Sequence, residues 1–137
     1  MKTYLDSSAF AKRFVDEIGS EKVEDVCAQA SELGLSVICV PEIISALNRL
    51  RREREITKRQ YFEAKRCLLN DVRDADIIDL TVPVISSAIA VLETSPVRAM
   101  DALHIACALE WGAELFVSAD KKQLNAARKS GIKIHQV

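Results

Sequence analysis

The chain has 137 residues, of which 49% are hydrophobic, and a formal net charge of −1 at pH 7. This size and composition predict one domain over residues 1–137 with a single core, and the charge excludes a strong attraction between the whole chain and nucleic acid. No apolar run reaches the roughly 18–20 residues that a membrane span needs. The amino terminus enters a strand at once, so we expect neither a signal peptide nor membrane association.

Short apolar strand patterns alternate with longer helical patterns along the chain. Five strands are predicted, near Lys2–Leu5, Leu35–Cys39, Ile77–Leu80, Glu114–Val117 and Lys133–His135. Helices are predicted from about Ser8, from Ser20, after Pro41, from Thr57 as a cap, from Thr81, over Arg98–Trp111 and over Lys121–Ser130. Gly112 and Gly131 are predicted to close the last two helices. The alternation predicts a three-layer α/β/α sandwich around a parallel sheet of about five strands, with the carboxyl ends of the strands at one edge.

The four cysteines stand singly in apolar stretches, and none forms a C-x-x-C pair. They are Cys27, Cys39, Cys67 and Cys107. This pattern predicts buried, reduced thiols in a cytoplasmic protein. The two histidines, His104 and His135, are too few and too far apart for a zinc site.

Four acidic residues are predicted to meet near the carboxyl edge of the sheet. Asp6 follows the first strand, Glu42 lies in the first helical turn after the second, and Asp120 follows the fourth. Asp101 falls in the first turn of an otherwise almost wholly apolar helix. A carboxylate in such surroundings costs free energy unless a cation or hydrogen-bond donors compensate it. These oxygen ligands predict a Mg²⁺ or Mn²⁺ site that could activate a water molecule toward phosphorus.

Each acid also has a simpler interpretation. Asp6 and Asp120 could cap the helices that follow them, and Glu42 could interact with the dipole of its helix. Asp101 could form a buried ion pair with Arg98. The joint placement, rather than any single acid, favours a metal site.

Neighbouring polar residues could support these acids. Ser7, Ser8 and Ser118 could hold water molecules or orient the carboxylates, or could equally make capping and turn hydrogen bonds. His104 is more typical of a core histidine with satisfied hydrogen bonds than of a general base.

A basic segment stands out against the acidic remainder of the chain. Residues 49–66 contain eight basic residues and three acids. The segment could be a solvated helix face with ion pairs four residues apart, or it could contact phosphates or a partner. The candidate RNA or partner contacts are Arg49, Arg51, Arg52 and Arg54.

Four segments together resemble the PIN-domain family, and more narrowly the VapC-type toxins of prokaryotic toxin–antitoxin pairs. They are Tyr4–Ala9, Pro41–Leu47, Arg98–Ala106 and Val117–Asp120, in the family's order and with family-like spacing. The resemblance implies a ribonuclease that depends on Mg²⁺ or Mn²⁺ bound by Asp6, Glu42, Asp101 and Asp120. It also implies a homodimer and a small antitoxin partner that lays a helix in a groove.

Other functions fit parts of the pattern. A housekeeping PIN nuclease in RNA processing would share the acids, and a non-catalytic PIN-like module would bind RNA or protein through the basic helices. An aspartyl phosphatase would use Asp6 as its nucleophile, but Ser8 stands where that chemistry requires a second acid. The sequence therefore favours a metal-dependent endoribonuclease acting on RNA phosphodiester bonds.

Overall fold

A parallel five-stranded sheet forms the centre of the molecule, which a computed structural model describes over all residues 1–137. The strands are β1 Lys2–Leu5, β2 Glu32–Ser36, β3 Asp76–Ile78, β4 Leu115–Ser118 and β5 Lys133–Gln136. Their order across the sheet is β3-β2-β1-β4-β5, and every neighbouring pair is parallel. The sheet therefore confirms the predicted α/β architecture.

Seven α-helices connect or follow the strands. They are α1 Ser7–Phe10, α2 Ser20–Gln29, α3 Cys39–Arg52, α4 Lys58–Asp71, α5 Val82–Thr94, α6 Ala99–Trp111 and α7 Lys121–Lys129. The predicted caps are present: Thr57 forms a capping box with Gln60, the Thr81 side chain accepts from the Val84 amide, and Gly112 ends α6 with a φ of 82°. No helix has the length and apolar character that a membrane crossing requires.

The helices cover both faces of the sheet, and each face has its own core. Tyr4 and Phe116 point into a core shared with α5, α6 and α7, whereas their chain neighbours Leu5 and Val117 point into a core shared with α1, α3 and α4. Successive strand residues alternate between faces, so each buried strand contributes to both cores. This arrangement is the predicted three-layer sandwich, although the sheet divides the interior into two cores where the sequence predicted one.

The second strand lies three residues earlier than predicted, at Glu32–Ser36 rather than Leu35–Cys39. Glu32 and Gly34 are weak strand formers, but this segment pairs with β1, where Glu32 lies opposite Lys2. The chain then turns, because the Ser36 hydroxyl accepts a hydrogen bond from the Ile38 amide, and Cys39 starts α3. The third strand is shifted by one residue in the same direction and ends two residues earlier, at Ile78.

All four cysteines are free thiols, but they are not all buried as predicted. Cys39 and Cys107 are buried, Cys27 is half-buried and Cys67 is exposed. The prediction was wrong for Cys67 because its neighbour Leu68 takes the inward position on α4. One residue corresponds to about 100° of rotation around a helix, so Cys67 faces away from the core.

Gly34 allows the ring of Trp111 to pack flat against β2. A Cβ atom at residue 34 would lie 2.7 Å from Cζ3 of that ring. The ring is further fixed by its hydrogen bond to Asp76 and by the Lys2 ammonium group, 4.3 Å from the ring centroid. We expect Gly34→Ala to lower the free energy of unfolding by about 1–3 kcal/mol, measured by urea denaturation.

A second background tests the cause of that loss. Trp111→Leu shortens the side chain that would meet the new Cβ, so Gly34→Ala should cost clearly less in the Trp111→Leu protein than in the wild type. Equal costs in the two backgrounds would show that contact with the ring is not responsible.

Candidate active site

The carboxylate of Asp6 lies at the carboxyl end of β1 and is held by three donors. The residue is 2% exposed. Its Oδ1 accepts from the Ala9 amide at 2.9 Å and from the Ser8 hydroxyl at 2.8 Å, and its Oδ2 accepts from the Ser118 hydroxyl at 2.6 Å. Burial raises the pKa of Asp6 even though these hydrogen bonds oppose the rise. Asp6 therefore caps α1, and two of the predicted serines fix its orientation.

Glu42, in the first turn of α3, is held by α1 and α6. Its Oε1 accepts from the Ser7 hydroxyl at 2.7 Å and lies 2.6 Å from Nε2 of His104. His104 is 3% exposed, and its Nδ1 lies 2.7 Å from the Tyr4 hydroxyl. Burial raises the pKa of Glu42, but the hydrogen bonds from His104 and Ser7 outweigh that effect and leave the pKa below its usual value.

Asp101 and Asp120 line an open cleft of about 560 Å³. Asp101 is half-buried and forms no ion pair, so the alternative interpretation of a buried pair with Arg98 is wrong. Burial and the nearby charge of Asp120 raise the pKa of Asp101. Asp120 is exposed and caps α7, where its Oδ1 accepts from the Lys122 amide at 2.9 Å. The simpler interpretation of Asp120 as a cap is therefore realised as well.

The sequence model of the PIN domain matches residues 3–129 of the chain. The chain belongs to the PIN-domain family. No curated protein sequence matches it significantly.

The PIN domain has a fold similar to those of several solved toxins and toxin–antitoxin complexes. VapC20 of Mycobacterium tuberculosis, a toxin that cleaves the sarcin-ricin loop, aligns with a TM-score of 0.71 at 15% identity over 96% of each chain. VapBC2 of Rickettsia felis, bound to a DNA fragment from its promoter, aligns with a TM-score of 0.71 at 12% identity over 100% of this chain and 99% of that one. A toxin–antitoxin complex from Klebsiella pneumoniae aligns with a TM-score of 0.71 at 12% identity over 99% of this chain and all of that one.

The acids of this PIN domain influence one another across the site. The like charges of Asp120 and Glu42 both raise the pKa of Asp101. No group of three or more His, Cys, Asp or Glu side chains has a geometry that could hold a metal ion. Convergence of all four carboxylates on a metal therefore stays a prediction.

The donor set of the site nevertheless fits a hard divalent cation. All four candidate ligands are carboxylates, the type that Mg²⁺ and Mn²⁺ prefer. The Asp101 carboxylate experiences the like charge of Asp120, an electrostatic cost that a divalent cation bound between them would relieve. Glu42 uses only Oε1 for its hydrogen bonds to the protein.

Most of the basic segment is not neutralised by acids. Of its eight basic residues only Arg59 forms an ion pair, with Glu63 at 3.5 Å, so the alternative of a salt-bridged face holds for that pair alone. Arg49 lines a groove between α1 and α3 that reaches Ser8 of the site. Arg51 lies over the Tyr61 ring with its guanidinium carbon 5.2 Å from the centroid, and Arg52 and Arg54 are exposed.

Sequence reasoning missed the link from Tyr4 through His104 to Glu42. His104 was expected to be a satisfied core histidine, and it is one, but one of its partners is a candidate ligand. A tyrosine in a buried strand was the available signal, because a buried phenol needs a hydrogen-bond partner. Its partner could not be named without the packing of α6 on the sheet.

Proposed function

We propose that this chain is a divalent-metal-dependent endoribonuclease that hydrolyses RNA phosphodiester bonds. One observation carries the proposal: three donors hold the buried carboxylate of Asp6 at the carboxyl edge of the sheet, and one of them, the Ser118 hydroxyl, also accepts from the amide of Asp120, which lines an open cleft together with Asp101. A structural cap alone does not need a buried carboxylate with a raised pKa, whereas functional sites often contain one.

Asp6, Glu42, Asp101 and Asp120 are the proposed ligands of Mg²⁺ or Mn²⁺. The bound ion would supply Lewis acidity and lower the pKa of a coordinated water. The protein fixes the carboxylates of Asp6 and Glu42 in advance through the hydroxyls of Ser7, Ser8 and Ser118 and through His104. Arg98 and Lys122 on the wall of the cleft bring positive charge to the place where an RNA phosphate would enter.

We further infer that the protein is the toxin of a toxin–antitoxin pair in the cytoplasm. The inference is supported by full-length similarity in fold to toxins and toxin–antitoxin complexes, one of which cleaves an RNA loop. The expected partners are RNA, a cognate antitoxin that inhibits cleavage, and a second copy of the chain in a homodimer. Arg49, Arg51, Arg52 and Arg54 are the proposed contacts to the RNA or to the antitoxin.

The test is cleavage of RNA by purified protein in Mg²⁺ or Mn²⁺, with Asp101→Asn as the critical variant. We expect this variant to lose activity by a factor on the order of 10²–10³, because one preorganised charged group at the reacting centre is removed. Glu110→Gln is the matched control, since Glu110 is an exposed acid at the other end of α6. It should cleave like the wild type.

A chelator provides the second arm of this test. Cleavage should stop in EDTA and return when Mg²⁺ is added in excess. Activity that persists in the chelator, or an Asp101→Asn protein as active as the Glu110→Gln control, would refute the proposed mechanism.

A further inference from the structure

A continuous chain of hydrogen-bonding groups joins β1, α6 and α3 inside the protein. The Tyr4 hydroxyl lies 2.7 Å from Nδ1 of His104, and Nε2 of the same ring lies 2.6 Å from Oε1 of Glu42. Tyr4 is fully buried and His104 is 3% exposed, so water does not compete for these contacts. The two ring nitrogens therefore have fixed and different partners.

The partners decide which ring nitrogen carries the proton. A tyrosine phenol has an ordinary pKa of about 10 and so keeps its proton at neutral pH. Because the Glu42 carboxylate can only accept at Nε2, the proton of a neutral imidazole lies there, and the Tyr4 hydroxyl donates to the unprotonated Nδ1. A nitrogen that accepts a hydrogen bond has no proton of its own, and the imidazole proton then sits on Nε2.

A proton on Nε2 faces the carboxylate of Glu42. Oε1 of Glu42 then accepts two hydrogen bonds, one from His104 and one from the Ser7 hydroxyl. Oε2 is left without a hydrogen bond from a protein group. In the opposite tautomer the Nε2 lone pair could accept from the Ser7 hydroxyl, 3.1 Å away, but it would still face Oε1 across 2.6 Å and repel the carboxylate.

We propose that His104 is a positioning residue, kept in its Nε2–H form by Tyr4, that fixes Glu42 through Oε1 and leaves Oε2 to bind a divalent cation. The role in cation binding rests on the proposed function, whereas the proton assignment and the orientation of Glu42 rest on the hydrogen-bonded contacts alone. Tyr4 acts on Glu42 indirectly, through its hydrogen bond to His104.

The proton assignment is tested by nitrogen NMR of protein labelled with ¹⁵N at histidine. His135 is exposed and gives an internal reference. The signals that disappear in the His104→Gln variant belong to His104. We expect His104 to show a protonated Nε2 and an unprotonated Nδ1. In Tyr4→Phe, which removes only the hydroxyl, the population with a proton on Nδ1 should rise. A wild-type His104 with its proton on Nδ1 would overturn the proposal.

The effect on Glu42 is tested by calorimetric titration with Mn²⁺. His104→Leu keeps roughly the size of the side chain but removes the donor, and we expect it to weaken Mn²⁺ binding by about 10–100-fold. His104→Gln can place an amide N–H where Nε2–H lies, and should bind Mn²⁺ within a few-fold of the wild type. Equal affinities of the Leu variant and the wild type, with both proteins folded by circular dichroism, would contradict the proposal, as would equal losses in the two variants.

The two tests separate this proposal from the proposed nuclease function. A wild-type protein that binds no Mn²⁺ would refute the metal site and with it the role of Oε2 as a ligand. The NMR experiment would still decide whether Tyr4 and His104 orient Glu42. Normal Mn²⁺ binding together with the wrong tautomer would instead leave the nuclease proposal intact and remove His104 from it.

Discussion

Asp6→Asn is expected to remove most RNA cleavage, by a factor on the order of 10²–10³, while making the protein more stable. Asparagine has nearly the same shape as aspartate. Its Oδ1 can still accept from the Ala9 amide and the Ser8 hydroxyl, and its amide nitrogen can donate to the hydroxyl of Ser118, which rotates to accept. The substitution therefore removes a buried charge but keeps the hydrogen bonds.

The gain in stability should depend on pH. Burial raises the pKa of folded Asp6, so the folded state holds its proton more tightly than the unfolded chain, in which the pKa is about 3.9. Protonated Asp6 therefore stabilises the folded state. This contribution is fully present below the pKa of Asp6 in the unfolded chain and is lost as the pH rises through its pKa in the folded protein. The Asn variant has no such loss, so its advantage should grow across this window and then remain constant, at on the order of 1 kcal/mol.

Thermal melts at a series of pH values in chelating buffer measure this difference. Asp25→Asn is the control, because Asp25 is an exposed acid on α2 and should give no comparable gain. An Asp6→Asn protein that melts below the wild type at every pH, or one that cleaves RNA at the wild-type rate, would contradict the expectation.

Phe116→Ala is expected to lower the free energy of unfolding by about 3–5 kcal/mol. Phe116 lies in β4, is 0% exposed, and stacks on Tyr4 with ring centroids 5.4 Å apart and an interplanar angle of 15°. Alanine would leave a cavity between the sheet and α6 that the surrounding backbone cannot fill. The substitution also removes the ring that packs against Tyr4, whose hydroxyl contacts His104.

The matched control for this substitution is Phe62→Ala on α4. Phe62 is 49% exposed, so its removal should change the free energy of unfolding by less than about 1 kcal/mol. Urea denaturation of both variants measures the contrast. Similar losses in the free energy of unfolding at the two positions would mean that burial of Phe116 does not determine its contribution to stability.

The sequence predicted the layers of the fold and the helix caps because those depend on local patterns. Thr57, Thr81 and Gly112 cap helices through contacts with residues close by in the chain, so their identity was enough. Asp6 and Asp120 each follow a strand, and the parallel topology alone was enough to predict that they lie at the same edge of the sheet.

Features that depend on long-range packing could not be read from the sequence. The alignment of Tyr4, His104 and Glu42 requires α6 and α3 to take one particular position on the sheet, and no local signal encodes that position. Arg98 and Asp101 stand three residues apart, a spacing that brings side chains together on a helix. Arg98, however, is the residue before α6 and has extended backbone angles of −82° and 165°, so the helical spacing does not apply to it.

The central position of β1 has a consequence for when the protein becomes active. Ser118, which donates a hydrogen bond to Asp6, is synthesised 112 residues after it. At translation rates of about 5–20 residues per second, roughly 6–22 s separate the two. Before that time the nascent chain lacks β4, Asp120 and the hydroxyl that orients Asp6. We therefore expect a chain that is still being translated to lack the proposed site at least until β4 has been made.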